Sequence, residues 1–223
     1  MNEDPNKAPS QTGNIVASLL KAPENVAETI ANRNKPLATG VTLLVAAAMF
    51  HAVFGLAMGL YGGWSVAIMD MAKIPLVAVC SLLLCYPSLY VFSCVGGTPL
   101  SLSQTFLLGA SCLAMLGLLL VGLAPVAWLF SVSTESLPFV TMLALFIWLI
   151  AASFAVRYIG KLQVHALFKK AGGIKLWFFV LVLVTVQMVT CMRPILTAPK
   201  AGWWTGEKMF FLQHFGSTFE ARK

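Results

Sequence analysis

IPLVAVCSLLLCYPSLYVFSCVGGTPLSLSQTFLLGASCLAMLGLLLVGLAPVAWLFSVST (residues 74–134) contains no Asp, Glu, Lys or Arg. Water-soluble domains carry charge on the elements that meet solvent, so an uncharged stretch of this length reads as lipid-facing or lipid-buried sequence. A helix needs about 20 apolar residues to cross the hydrocarbon core. The stretch therefore holds two crossings, joined at the turn Gly96-Gly97-Thr98-Pro99. The expected fold class is an all-α integral membrane helical bundle.

The same patterning extends outward in both directions. A first span is expected over 37–61, opened by Arg33, Lys35 and Pro36 and closed by Gly62 and Gly63. A hinge over 62–73 holds Trp64, Asp70 and Lys73. The second span covers 74–95, with Pro75 in its first turn and Pro87 kinking its middle. The third covers 102–130 and is bent near its end by Pro125, the fourth 137–156, and the fifth 176–192. This gives about five transmembrane helices over 37–192, an N-terminal segment over 1–36 and an aromatic-rich tail over 193–223. Met1 to Asn14 is polar and expected to be disordered. Ile15, Leu19, Val26 and Ile30 keep helical spacing around Pro23, which fits either short amphipathic helices on the membrane surface or a loosely helical linker.

Composition agrees. Hydrophobic residues make up 59% of the chain and charged residues 10%, against about 25% charge in soluble domains; mean hydropathy is +0.84. The net charge of +7 is not read as nucleic-acid binding, because spanning proteins keep Lys and Arg in cytoplasmic loops, where anionic lipid attracts them. No charged n-region precedes an apolar core at the N-terminus, so the first span is expected to act as its own insertion signal. Lys7, Lys21, Arg33 and Lys35 lie before the first span, and Arg157, Lys161, Lys169, Lys170 and Lys175 before the fifth. Four spans separate the two groups, which places both, with the N-terminus, in the cytoplasm. The expected location is a bacterial inner membrane, multi-pass.

Candidate functional residues are few. Gly55, Gly59 and Gly63, spaced four apart, form a side-chain-free stripe that lets another helix backbone approach closely. It fits a dimer or partner interface, or packing against the second span. Asp70 and Lys73, at i and i+3, read as a membrane-boundary ion pair, with a proton or cation site as the sharper alternative. Glu135 reads as another boundary residue. His51 lies near the middle of the first span without a second histidine at its depth, which disfavours haem. Gln104, Gln187, Ser88, Ser111, Thr141, Ser153 and Thr185 offer interhelical hydrogen bonds or line a polar path. The odd count of five cysteines (Cys80, Cys85, Cys94, Cys112, Cys191) lacks the spacing of a zinc site. No hydrolase, phosphate-loop or metalloprotease motif is present, so neither an enzyme nor a cofactor is implied.

Gln187-Met188, Arg193-Pro194, Phe210-Phe211 and Phe219-Glu220, together with Met69-Asp70 and Pro87-Ser88-Leu89-Tyr90, resemble a group of uncharacterised bacterial multi-spanning inner-membrane proteins. That resemblance implies the fold but no activity. The five-span plan with a cytoplasmic N-terminus is also similar to the Yip family, in topology alone, since the Asp-Leu-Tyr-Gly-Pro signature is absent. Pro194 is expected to end the last helix, with Arg193 at the negative end of its dipole. Gln187 is expected to hydrogen-bond the kink at Pro87. Trp203, Trp204, Phe210 and Phe211 are expected at the interface. The function expected is a non-catalytic accessory or scaffold subunit, bound to the lipid bilayer and to membrane-protein partners or a second copy. A small-molecule or lipid transporter, or a channel, is the alternative.

Overall fold

The computed structural model describes residues 19, 26–28, 30, 36–97, 100–134, 136–162 and 172–191. Five long helices form an all-α bundle: α1 (Pro36–Gly59), α2 (Trp64–Val95), α3 (Leu102–Ser133), α4 (Leu137–Leu162) and α5 (Gly172–Cys191). Four are long and apolar enough to cross a membrane. α5 carries a shorter apolar stretch, Gly173–Val189. Its 17 residues rise about 25 Å, below the roughly 30 Å of hydrocarbon.

The largest departure from the sequence reading lies at residues 64–73. They are not a hinge but the first turns of α2. The chain reverses in the short 3-10 turn Leu60–Gly62 and at Gly63, whose φ of +92° suits a residue without Cβ. Ala67 N then donates to Gly63 O at 3.0 Å and the helix is under way. Pro75 consequently sits deep inside α2 rather than in its first turn. α4 likewise runs to Leu162 and takes in Arg157 and Lys161, which are expected in a loop, while Lys175 falls in the first turn of α5.

α3 is the central helix. Two thirds of its apolar window is buried, twice the share of α2. Its start is fixed by a capping box: Gln104 N donates to Ser101 Oγ, and Ser101 N donates to Gln104 Oε1 at 2.9 Å. α1 packs along α3 in parallel, since Gly40 abuts Phe106 and Leu107 while Gly117 abuts His51. α2 runs antiparallel to α1, and α5 antiparallel to α2, with Gly173 against Phe92 and Trp177 against Cys85. One end of the bundle therefore gathers the starts of α1, α3 and α5 and the ends of α2 and α4.

The N-terminal segment joins this end. Leu19, Val26, Ala27 and Ile30 are buried within the main hydrophobic cluster, and Gln104 Nε2 donates to Ile30 O at 2.8 Å. The described residues of this segment, 19, 26–28 and 30, are helical, with Glu28 exposed. Their apolar side chains cap the bundle core. Outward, every helix presents apolar side chains; on α1, Leu37, Val41, Val45, Met49 and Val53 form one exposed line at a spacing of four. A helical bundle that is apolar on its outside belongs in a membrane.

Candidate functional site: buried charge in α2

Asp70 and Lys73, expected in a hinge at the membrane boundary, are fully and almost fully buried inside α2. With Val66, Val77 and Ser81 they form one buried stripe at spacings of three and four. α2 has 32 residues and is about 48 Å long. Centred on a hydrocarbon core about 30 Å thick, it leaves about 9 Å at each end. Asp70 then falls at the edge of the core and Lys73 about 4 Å inside it. Such charges face the bundle interior because lipid cannot solvate them, and they commonly mark ion or substrate pathways.

The helix-packing glycines explain how α2 comes so close. A methyl on Gly55 would fall 2.5 Å from the Asp70 carbonyl oxygen, and one on Gly59 2.6 Å from Ala67 Cα. Two of the three stripe glycines thus bring α1 into backbone contact with α2 of the same chain. Gly63 does not join them: nothing lies within 4 Å of the place where its Cβ would be, and its role is the turn.

His51 stands one turn below Gly55 on α1 but points to α3. Its Nδ1 lies 2.7 Å from Ala47 O, so that nitrogen carries the hydrogen. A methyl on Gly117 would come 2.8 Å from Nδ1. The imidazole therefore fills a slot that exists only because residue 117 is glycine. His51 is seated on α3 at Gly117, whereas the Asp70 backbone is seated on α1 at Gly55.

A second polar interior was not foreseen. Trp177 of α5, fully buried, donates Nε1–H to Cys85 O at 2.8 Å, and Ser88 Oγ donates to the same carbonyl at 2.7 Å. Both bonds lie within one turn of Pro87. On α4, the Tyr158 hydroxyl faces Ser111 and Cys112 of α3. Gln187 is not at the Pro87 kink. Because α5 is antiparallel to α2, ten residues beyond Trp177 carry Gln187 about 15 Å towards Pro75. The signal that was missed is Gly173-x3-Trp177: a glycine that seats α5 on Phe92 O, and one turn later a donor aimed at α2.

The hydroxyls expected to bridge helices mostly bond within their own. Ser88, Ser111, Ser153 and Thr185 all donate to carbonyls three or four residues back. Among the described residues no group of three His, Cys, Asp or Glu side chains is placed to hold a metal ion. Glu135, Arg193, Pro194, Trp203, Trp204, Phe210 and Phe211 lie outside the described residues.

Comparison of the chain with protein-family models, with curated proteins and with solved structures yields no match.

Proposed function

We propose that this chain is a multi-spanning protein of a bacterial inner membrane, N-terminus in the cytoplasm, that acts as a non-catalytic accessory or scaffold subunit. The observation that carries this reading is the division of labour between the inside and outside of the bundle. Close-approach glycines and polar side chains are turned inward, with Gly55, Gly59 and Gly117 packed to contact. Large apolar residues are left outward on every helix, including Met49, Leu84, Trp128, Phe146 and Phe179. Close helix packing at these glycines supports a structural part, and the outer faces are what lipid or a partner helix would meet. Partners through the outer faces, not through the glycine stripe, are what this arrangement supports. The test is purification of the tagged protein in gentle detergent with native mass measurement. A hetero-complex of fixed stoichiometry is expected; a lone monomer would overturn the reading.

One observation favours the second reading, a small-molecule or lipid transporter or a channel. Asp70 and Lys73 place charge inside an apolar helix, where ion-coupled carriers need it. Asp70→Asn in liposomes separates the two readings. A transporter loses flux while remaining folded, whereas a scaffold keeps its partners and shows no flux in either form.

A further inference from the structure

The basic residues at the α4–α5 end do more than set orientation. Arg157 and Lys161 are one turn apart on α4, and Gly160 lies between them. The Nζ of Lys175, from the first turn of α5, is the atom nearest to where a Gly160 side chain would begin, at 4.0 Å. A position without a side chain thus receives the ammonium group of the next helix, and the end of α4 and the start of α5 carry three exposed cations. Like charges one turn apart repel. Lys175 also stands at the positive end of the α5 dipole, and α5 has no acid in its first turn. Among the described residues the acid at this end of the bundle is Glu28, exposed on the N-terminal segment. The junction is built to receive an anion.

Its surroundings say which kind. Phe154 lies one turn deeper than Arg157, with the guanidinium carbon 5.5 Å from the ring centre, which holds the cation at the rim of the apolar zone. Phe179 lies one turn deeper than Lys175 on the same face of α5. Phe154, Val156, Leu176 and Phe179 are all exposed. Cations above and bare aromatics below match a headgroup and an acyl chain. A free phosphate would use only the upper half.

We propose that Arg157, Lys161 and Lys175 form a binding site for the phosphate headgroup of an anionic phospholipid, whose chains lie along Phe154 and Phe179. The inference rests on insertion of the bundle across a membrane and is independent of whether the protein is a scaffold or a carrier. Basic pockets between helices at the cytoplasmic face are suited to such headgroups.

The test uses the full chain in nanodiscs of phosphatidylcholine, with and without phosphatidylglycerol, and counts retained lipids by native mass spectrometry. Wild-type protein is expected to retain phosphatidylglycerol over phosphatidylcholine. Each of Arg157→Gln, Lys161→Gln and Lys175→Gln is expected to weaken this preference about fivefold. The triple variant of Lys208→Gln, Arg222→Gln and Lys223→Gln, which removes three charges from the tail against one in each site variant, is expected to keep it. Equal loss in the tail variant would overturn the site, leaving only bulk charge. Displacement of the lipid by millimolar inorganic phosphate would overturn the assignment to lipid. The single variants are surface changes, and their melting in pure phosphatidylcholine checks the fold. Failure to enter nanodiscs at all would count against the membrane-spanning reading, whereas entry without lipid preference would sink this proposal alone.

Discussion

Trp177 of α5 reaches across to α2 and donates its indole hydrogen to the Cys85 carbonyl at 2.8 Å, two residues before a proline inside the helix. The ring is fully buried, so the contact combines apolar packing with a polar tether. Trp177→Phe keeps most of the packing and removes the donor. It should lower stability by about 1 kcal/mol, the net value of a buried hydrogen bond. Trp177→Ala also opens a cavity and should cost about 3–5 kcal/mol. Unfolding in mixed micelles measures both. Equal effects from the two variants would show that the hydrogen bond contributes nothing separable.

The glycines of α1 separate by geometry. Gly55→Ala and Gly59→Ala would place a methyl within 2.6 Å of α2 backbone atoms, which cannot rotate away. Overpacking of this kind costs about 1–3 kcal/mol, and more where backbone must move. Gly63→Ala meets no neighbour and is penalised only by the glycine-favouring backbone at φ +92°, ψ 174°, about 1–3 kcal/mol. If the Gly55–Gly59 stripe were a dimer interface, its variants would change oligomeric mass and leave the fold intact. The expected result is the reverse: lower stability with unchanged mass, read by thermal melting alongside size analysis.

The apolar helices were legible because hydropathy is a property of the sequence itself: a run without charge must avoid water wherever it goes. The site was not legible, because depth and facing are properties of packing. Asp70 and Lys73 look the same in sequence whether they end a loop or sit two turns inside a helix. What decides between these is Gly63, whose positive φ starts α2 ten residues earlier than the charge pattern implies. The Gly55–Gly59 pair could be seen from its spacing of four, the spacing that aligns residues on one helical face. Gly109 and Gly117, which receive Leu82 and His51, are eight apart and belong to a helix rich in small residues, so nothing marked them. Trp177 was one aromatic among many until α5 was set antiparallel to α2.

Gln104 ties the start of α3 to the N-terminal segment. Its Oε1 accepts from Ser101 N, closing the cap of α3, and its Nε2 donates to Ile30 O, holding the N-terminal segment against the core. Gln104→Glu keeps an acceptor for the cap but loses the donor and adds charge to a buried position. Gln104→Ala loses both bonds, a cost of about 1–3 kcal/mol. Both variants should speed protease cleavage before Pro36 while the remaining bundle stays resistant. Ile30→Ala, which keeps the carbonyl but empties a buried side-chain site, should do the same through packing. Unchanged cleavage in all three would mean that the segment is not held by these contacts.

Asp70 and Lys73 stand one turn apart on the same buried stripe, and removal of either leaves the other charge without solvent. Breaking a buried pair from one side costs about 3–5 kcal/mol, while replacing both members with apolar residues of similar volume is often nearly neutral. Asp70→Leu and Lys73→Met should therefore each be severely destabilising. The double variant should be more stable than either single variant, with a coupling of about 1–3 kcal/mol in the cycle. Additive losses would show that each charge answers to a different group, and the stripe would then be two sites instead of one. If the double variant folds well yet loses a flux or a partner that wild type possesses, the pair is held in α2 for function. If it folds well and keeps every partner, the charges contribute only to the choice of packing.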